Sequence, residues 1–362
     1  MPPALQGRAQ QAARHTTHRL RNVCGLLSVV FRLGCWRWLN TRAAPGVDRI
    51  RAWGYGKHLR EQVDDLAERV HTERYRATLV RRPSIPKGPG TLRPRGLPAM
   101  EDTRLQTAVA QRLEAISAQD FLPCRDGSRR AVGALEAVRD LTRTLQWGPY
   151  GCIVDADITG VFDTSAPQPG LEMLALRSDA TPWLRLSRPW LKAGVRETDG
   201  HGIHPATGTP QGGTVSPIFA HVYVHYALDG WVAEVVQAHG EKAASLWRDA
   251  DDCVCAFQTK RDAERLDSVL GKRRGRCGRE RAAEKTRMLS GSRCRHAGKE
   301  RGDVLGYPLC WGTNSAGTAP RQRRTSRKKL RRAIANVTAW IQANRNRRLK
   351  DLCKARHATL RG

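Results

Sequence analysis

The sequence predicts an α+β fold, a strand-forming centre flanked by helices, on three observations. Amphipathic stretches with apolar residues three or four apart dominate the first 150 residues and return near the end. Two short apolar runs, "CIVDAD" (152–157) and "LWRDADDCVCAF" (246–257), read as buried strands that meet carboxylates at one end. Between the early helices, "LVRRPSIPKGPGTLRPRGLP" (79–98) reads as two short strands around a Gly and Pro turn.

In order along the chain, residues 1–40 read as helical, with a basic first half and an apolar second half. "AAPGVD" (43–48) is a turn, and "LREQVDDLAERVHTERY" after it is an amphipathic helix. The hairpin over 79–98 carries Lys87, Arg93 and Arg95, cations suited to holding phosphates or simply part of a basic surface. "MEDTRLQTAVAQRLEAI" is a helix with Leu105, Val109, Leu113 and Ile116 along one face, and "GALEAVRDLTRTLQ" is another. "GTPQGGTVSPIFAHVYVHYALDGW" (208–231) is a glycine-rich loop feeding a helix. Gly212 and Gly213 allow close backbone approach to a ligand, and Ser216 with Pro217 resembles an N-cap followed by Pro at the first helical position. From about residue 321, a basic helix carries Leu330, Ile334, Val337 and Ile341 on one face.

Composition narrows the function. The 362 residues suffice for one large domain or two to three ordinary ones, and an apolar fraction of 40 % argues for a folded protein. Lys and Arg number 63 against 34 Asp and Glu, a net charge of +29. Such a charge repels itself unless anions are bound, so a polyanionic partner follows, most simply nucleic acid. The ten cysteines form no C-x-x-C pair, which excludes zinc-ribbon and redox spacings; they read as free buried thiols of a reducing compartment. The longest apolar candidate, "NVCGLLSVVF", is followed by Arg32 and falls short of the roughly 18 residues of a membrane span, so no membrane partner is expected. The Arg-rich N-terminus weakly imitates a transit peptide; cytoplasm is the default location.

Carboxylates crowded into an apolar strand are costly unless something positive neutralises them. If the two apolar runs are neighbouring strands, Asp157 can face Asp251 and Asp252 at the turn of a hairpin. That trio could bind two Mg²⁺ ions by hard oxygen ligation. The alternative from the local pattern is an acidic surface turn joining two strands.

An ordered set of these segments resembles the reverse transcriptases and maturases encoded by bacterial group II introns. "AAPGVD" is similar to that family's N-terminal block, and "IPKGPGTLRPRGLP" with "EDTRLQTAV" to its fingers motifs. "VDADITGVFD" resembles the first catalytic palm motif, "GTPQGGTVSPIFAHVYVHYALD" the primer and nucleotide-contacting motif, and "RDADD" the paired-aspartate motif. "AEKTR" resembles the next palm motif and "VLGYPLCWG" the primer grip.

The resemblance implies a right-hand polymerase with an antiparallel palm sheet flanked by helices. Residues 1–78 would be a helical extension and the start of the fingers, 79–150 fingers, 151–315 the palm, and 316–362 the start of a truncated thumb and maturase region. It implies Asp157, Asp251 and Asp252 as metal ligands for two Mg²⁺ ions and Phe162 as a steric gate against the ribose 2′-hydroxyl. Gln211 would line the nucleotide pocket, Lys87 and Arg93 would hold triphosphate oxygens, and Lys285 would donate a proton or contact phosphate. The implied reaction is attack by a primer 3′-hydroxyl on a deoxynucleotide, with an RNA template; the implied partners are template and intron RNA, DNA primer or target, and deoxynucleoside triphosphates.

The chain also departs from the pattern. Asp249 stands where the family usually has Tyr, placing a fourth carboxylate beside the trio. Arg95 replaces an apolar residue, costly unless it reaches solvent, and Val161 replaces an aromatic. "FDTSAP" replaces "FDNIDH", the block before residue 130 is shortened, and the C-terminal region reads as cut short. Two other readings stay open: a non-catalytic RNA-binding remnant or splicing cofactor, and a remnant that does not fold stably.

Overall fold

A computed structural model of the chain describes residues 3–15, 34–88, 91–122, 134–157, 167–176, 181–191, 193–196, 202–203, 212–236, 240, 242–249, 252–276, 286–290, 302–305, 307–311, 321–323, 327–350 and 352–353. The first half holds α1 (Pro3–Arg14), a 3-10 turn (Cys35–Trp38), α2 (Ala52–Gly56), α3 (Leu59–His71), β1 (Val80–Arg81), β2 (Ser84–Gly88), β3 (Thr91–Pro94), α4 (Met100–Ser117) and α5 (Ala134–Trp147). The centre holds β4 (Cys152–Asp157), α6 (Pro167–Ala175), α7 (Thr181–Leu191), β5 (Val195–Arg196), β6 (Gly202–Ile203) and α8 (Ser216–Val224), which runs on through π-helical turns at His225–Asp229 and Val232–Val236. Then come β7 (Ala244–Asp249), β8 (Asp252–Phe257), α9 (Lys260–Arg276), β9 (Arg287–Ser290), β10 (Gly302–Val304), β11 (Tyr307–Trp311), β12 (Arg321–Arg323) and α10 (Arg327–Asn344).

The predicted stripe of α4 drives the packing of the first half. Leu105, Val109, Leu113 and Ile116 are all buried, against Leu5 of α1, Leu171 of α6, Leu186 of α7 and Phe219 of α8. The "AAPGVD" turn starts α4 from a distance: Asp48 Oδ2 accepts the Met100 N–H at 3.2 Å, while Oδ1 accepts the Ile50 N–H and closes the turn itself. A Cβ at Gly46 would come within 2.5 Å of the Pro98 carbonyl, so this turn needs glycine to lie against the chain entering α4.

The main sheet is antiparallel, in the order β7-β8-β4-β9. Its side chains alternate between two covered faces, as period-2 geometry demands. Cys152, Val154, Leu246, Cys253, Cys255 and Phe257 pack beneath α8, its π-helical extension and α9. Ile153, Trp247, Val254 and Ala256 pack against α5, whose Asp140 accepts the Trp247 Nε1–H at 2.7 Å. Burial on both faces explains why "CVCAF" is an unbroken apolar run. A second antiparallel sheet, β10-β11-β12, adds Val304 and Leu305 to the α5 side.

The remaining expectations divide. The cationic hairpin forms, with β2 and β3 antiparallel, Lys87 in the first strand and Arg93 opposite Ile85 in the second. Its base joins the small sheet β1-β5-β6 through reciprocal bonds between Arg81 and Leu97. Arg95 is exposed beyond β3, so it reaches solvent instead of being buried. Ser216 is not the N-cap of α8: Val215 holds that position, no side chain caps the helix, and Pro217 remains in its first turn. The tail helix begins at Arg327, because residues 321–323 pair with β11 instead. Cys35, Cys152, Cys253 and Cys255 are buried thiols as expected, whereas Cys353 is exposed. Among the described residues no helix is long and apolar enough to cross a membrane; "NVCGLLSVVF" lies outside them.

Candidate active site

The two aspartate-bearing runs are neighbours. Register pairs Asp157, the last residue of β4, with Asp252, the first of β8, and pairs Asp252 with Asp249, the last of β7. Three aspartates therefore stand in one row across three strands at a single end of the sheet. Directly opposed residues of adjacent antiparallel strands sit about 5 Å apart, so this row concentrates negative charge. Asp252 is exposed. In the sequence only residues 250 and 251 separate β7 from β8. Asp251 itself, and the side chains of Asp157 and Asp249, lie outside the described residues.

Hard oxygen donors are what Mg²⁺ prefers, and Asp252 is the described side chain of the row that offers them. Among the described residues no cluster of three His, Cys, Asp or Glu side chains gathers for a metal.

Gly212 and Gly213, at the end of the glycine-rich loop, lie tight against the chain itself. Gly212 adopts φ +122°, and a Cβ there would lie 2.1 Å from the Gly96 carbonyl. A Cβ at Gly213 would lie 2.8 Å from Gln106 Oε1. The close approach is to the chain's own backbone, where the loop docks on the base of the hairpin and on α4. Nearby, Asp102 of α4 is buried and accepts from the Tyr75 hydroxyl, the Thr78 N–H at 3.1 Å and the Thr78 hydroxyl at 2.5 Å. Trp190 Nε1–H donates in turn to the Tyr75 hydroxyl at 2.8 Å. Burial pushes the Asp102 carboxyl above its ordinary value despite those donors, and pushes the Tyr75 phenol up as well.

Beneath the aspartate row lies a fully buried ion pair. Arg248 of β7 donates through Nε to Asp229 Oδ1 at 2.7 Å and through a terminal nitrogen to Oδ2 at 2.5 Å; both side chains have 0 % exposure. His225 Nδ1 stands 3.7 Å from the same Oδ2. Burial alone would raise the Asp229 carboxyl, yet His225 and Arg248 together hold it below its ordinary value. The sequence reading passed over both ends of this pair. The signal was a charge out of place in an apolar run, Arg248 after "SLW" and Asp229 after "YAL".

Phe162, Gln211 and Lys285 lie outside the described residues, as do the side chains of Lys87 and Arg93. The backbone thus brings together Asp157, Asp252 and Asp249, and places Lys87 and Arg93 on one hairpin.

The family model described as reverse transcriptase (RNA-dependent DNA polymerase) matches residues 85–309, more than half of the chain, and the chain belongs to that family. Within the family, its relatives include a group II intron-encoded protein, as the motifs imply. It is 29 % identical over 177 residues to the group II intron-encoded protein LtrA of Lactococcus lactis, which covers 48 % of this chain and 29 % of LtrA. It is 28 % identical over 188 residues to Protein YkfC of Escherichia coli, 50 % of this chain and 48 % of that protein. An uncharacterized 91 kDa protein in the cob intron of Schizosaccharomyces pombe is 28 % identical over 165 residues, 45 % of this chain and 20 % of the relative. The matches thus span half or less of each relative's length.

Proposed function

We propose that this chain is an RNA-directed DNA polymerase of the group II intron type that extends a primer 3′-hydroxyl along an RNA template. The observation that carries the proposal is the register Asp157↔Asp252↔Asp249 at one end of the main sheet. In this reading the main sheet is the palm, the β2-β3 hairpin with its neighbouring helices is the fingers, and α10 begins a thumb.

Asp157, Asp251 and Asp252 would hold two Mg²⁺ ions, which when bound supply charge neutralisation for the attacking and leaving oxygens. The chain's own residues do the rest. Lys87 and Arg93 grip the triphosphate, Arg93 by a planar fork and Lys87 as a point charge. Gln211 lines the nucleotide pocket, Phe162 walls off the ribose 2′-hydroxyl so that deoxynucleotides are selected, and Lys285 meets the phosphates or returns a proton to pyrophosphate. The primer hydroxyl attacks the α-phosphate in line and pyrophosphate leaves. The net charge of +29 holds template RNA through its backbone and 2′-hydroxyls rather than base edges. A role in splicing of a host intron RNA would use the same basic surface.

The test is primer extension on an RNA template with Mg²⁺ and deoxynucleotides, comparing the chain with Asp251→Asn. Extension that vanishes in the variant is the expected result. A folded, RNA-bound chain that extends nothing would overturn it and leave a non-catalytic RNA-binding protein.

A further inference from the structure

The aspartate hairpin and the glycine-loop helix are separate elements, joined by an ion pair that the chemistry above does not use. Arg248 immediately precedes Asp249 in β7, and successive strand residues alternate faces. Arg248 therefore sits on the covered face, with its Cα partner Cys253 among the buried residues beneath α8 and its π-helical extension. Asp229 is the last residue of the π-helical turn His225–Asp229, continuous with the helix that starts just after Gly212 and Gly213. Two nearly parallel bonds from one guanidinium to one carboxylate fix both distance and orientation. The strand residue just before Asp249 is thus tied at a set angle to the helix that the docked glycines lead into.

A buried pair of this kind is poor value as a stabiliser. Replacing both partners by apolar residues of similar volume is often neutral or stabilising, because desolvation cancels much of the attraction. Its presence one residue from the aspartate row therefore asks for another reason. The π-helical turn strengthens the point, since such turns replace ordinary helical bonding and recur at functional sites. Here it brings His225 and Asp229 together, with His225 Nδ1 3.7 Å from the carboxylate that Arg248 of β7 holds.

We infer that Arg248 and Asp229, backed by His225, form a positioning clamp that fixes the β7-β8 hairpin relative to α8, and so holds Asp249 and Asp252 in line with Asp157. Arg248 is a positioning residue and touches no substrate. The clamp's part in catalysis rests on the polymerase reading; its part in fixing the hairpin does not.

The experiment compares the full chain with the double variant Asp229→Leu/Arg248→Met, which removes the clamp without leaving a lone buried charge. Single truncations at either position would strand the partner charge and are expected to lower Tm by about 10 °C, which would obscure the result. The double variant should keep its Tm within a few degrees. Amide hydrogen exchange across residues 246–254 should rise about tenfold or more, while exchange in α4 stays unchanged. In primer extension kcat should fall about 10- to 100-fold, the range seen when partners of metal ligands are removed, with the deoxynucleotide KM unchanged. A pair that served only the stability of the core would leave both hairpin exchange and kcat as they are, and that result overturns the clamp. If the wild-type chain extends no primer but the hairpin alone loosens in the variant, the polymerase reading falls and the clamp stands.

Discussion

At one end of the four-stranded sheet, Cys152 and Phe257 are sealed beneath α8 and α9; at the other, Asp157, Asp252 and Asp249 stand side by side and Asp252 is exposed. The same three strands run between the two ends. The paired residues at one end include buried Cys152 and Phe257, and those at the other are all acidic. The apolar end contributes burial, and removing its side chains should cost stability. The acidic end works against stability, because like charges crowd there, so an aspartate at the end of each of these three strands calls for an explanation in chemistry. The difference separates residues that hold the fold from residues that use it.

Substitutions at each end test that separation. The greatest consequence is expected from Asp157→Asn, which should reduce primer extension on the order of 10³-fold, or about 4 kcal/mol of transition-state stabilisation, with Tm unchanged or raised. Phe257→Ala, at the opposite end, should cost about 3–5 kcal/mol of stability in denaturant unfolding, from lost burial and the cavity left behind. Any primer extension lost in that variant should track the unfolded fraction. Next comes Gly212→Ala, away from the sheet. Its φ of +122° and a Cβ 2.1 Å from the Gly96 carbonyl predict a loss of about 2–3 kcal/mol, read as a lower urea midpoint. A neutral outcome would mean that the loop is not docked on the hairpin base.

The smallest effect concerns pH. The raised Asp102 carboxyl takes a proton more readily folded than unfolded. It therefore contributes stability that is fully present below its ordinary value near 3.8 and is lost as pH rises through its raised folded value. Relative to wild type, Asp102→Asn should gain a few degrees of Tm as pH goes from about 4 to about 7. Asp229 acts with the opposite sign: its lowered carboxyl contributes stability above the ordinary value, lost as pH falls through the folded one.

Much of this organisation was legible in the sequence, and what was not had physical reasons. The α4 stripe could be read because 3.6-residue spacing leaves Leu105, Val109, Leu113 and Ile116 on one face. The same rule found Leu330, Ile334 and Ile341 in α10, yet these are 48 %, 57 % and 52 % exposed, since periodicity names an apolar face and not what covers it. The neighbouring aspartate runs could be proposed because an apolar run that meets carboxylates is costly, but the one-to-one pairing of Asp157 with Asp252 is a matter of register that no local pattern encodes. The glycines could be read as a place of close approach, but that Gly96 is what lies against Gly212 is set by the fold. Arg248 and Asp229 went unread because they lie 19 residues apart and only the fold makes them a pair.

The most direct measurement is single-nucleotide incorporation on an RNA template by the wild-type chain, Asp157→Asn and Phe257→Ala, with the Tm of each recorded on the same samples. If the two ends of the sheet divide chemistry from stability, Asp157→Asn keeps its Tm and loses incorporation, whereas Phe257→Ala loses Tm and incorporates at the wild-type rate per folded molecule. Incorporation that survives in Asp157→Asn at the wild-type rate would contradict the assignment of the aspartate row as the catalytic site.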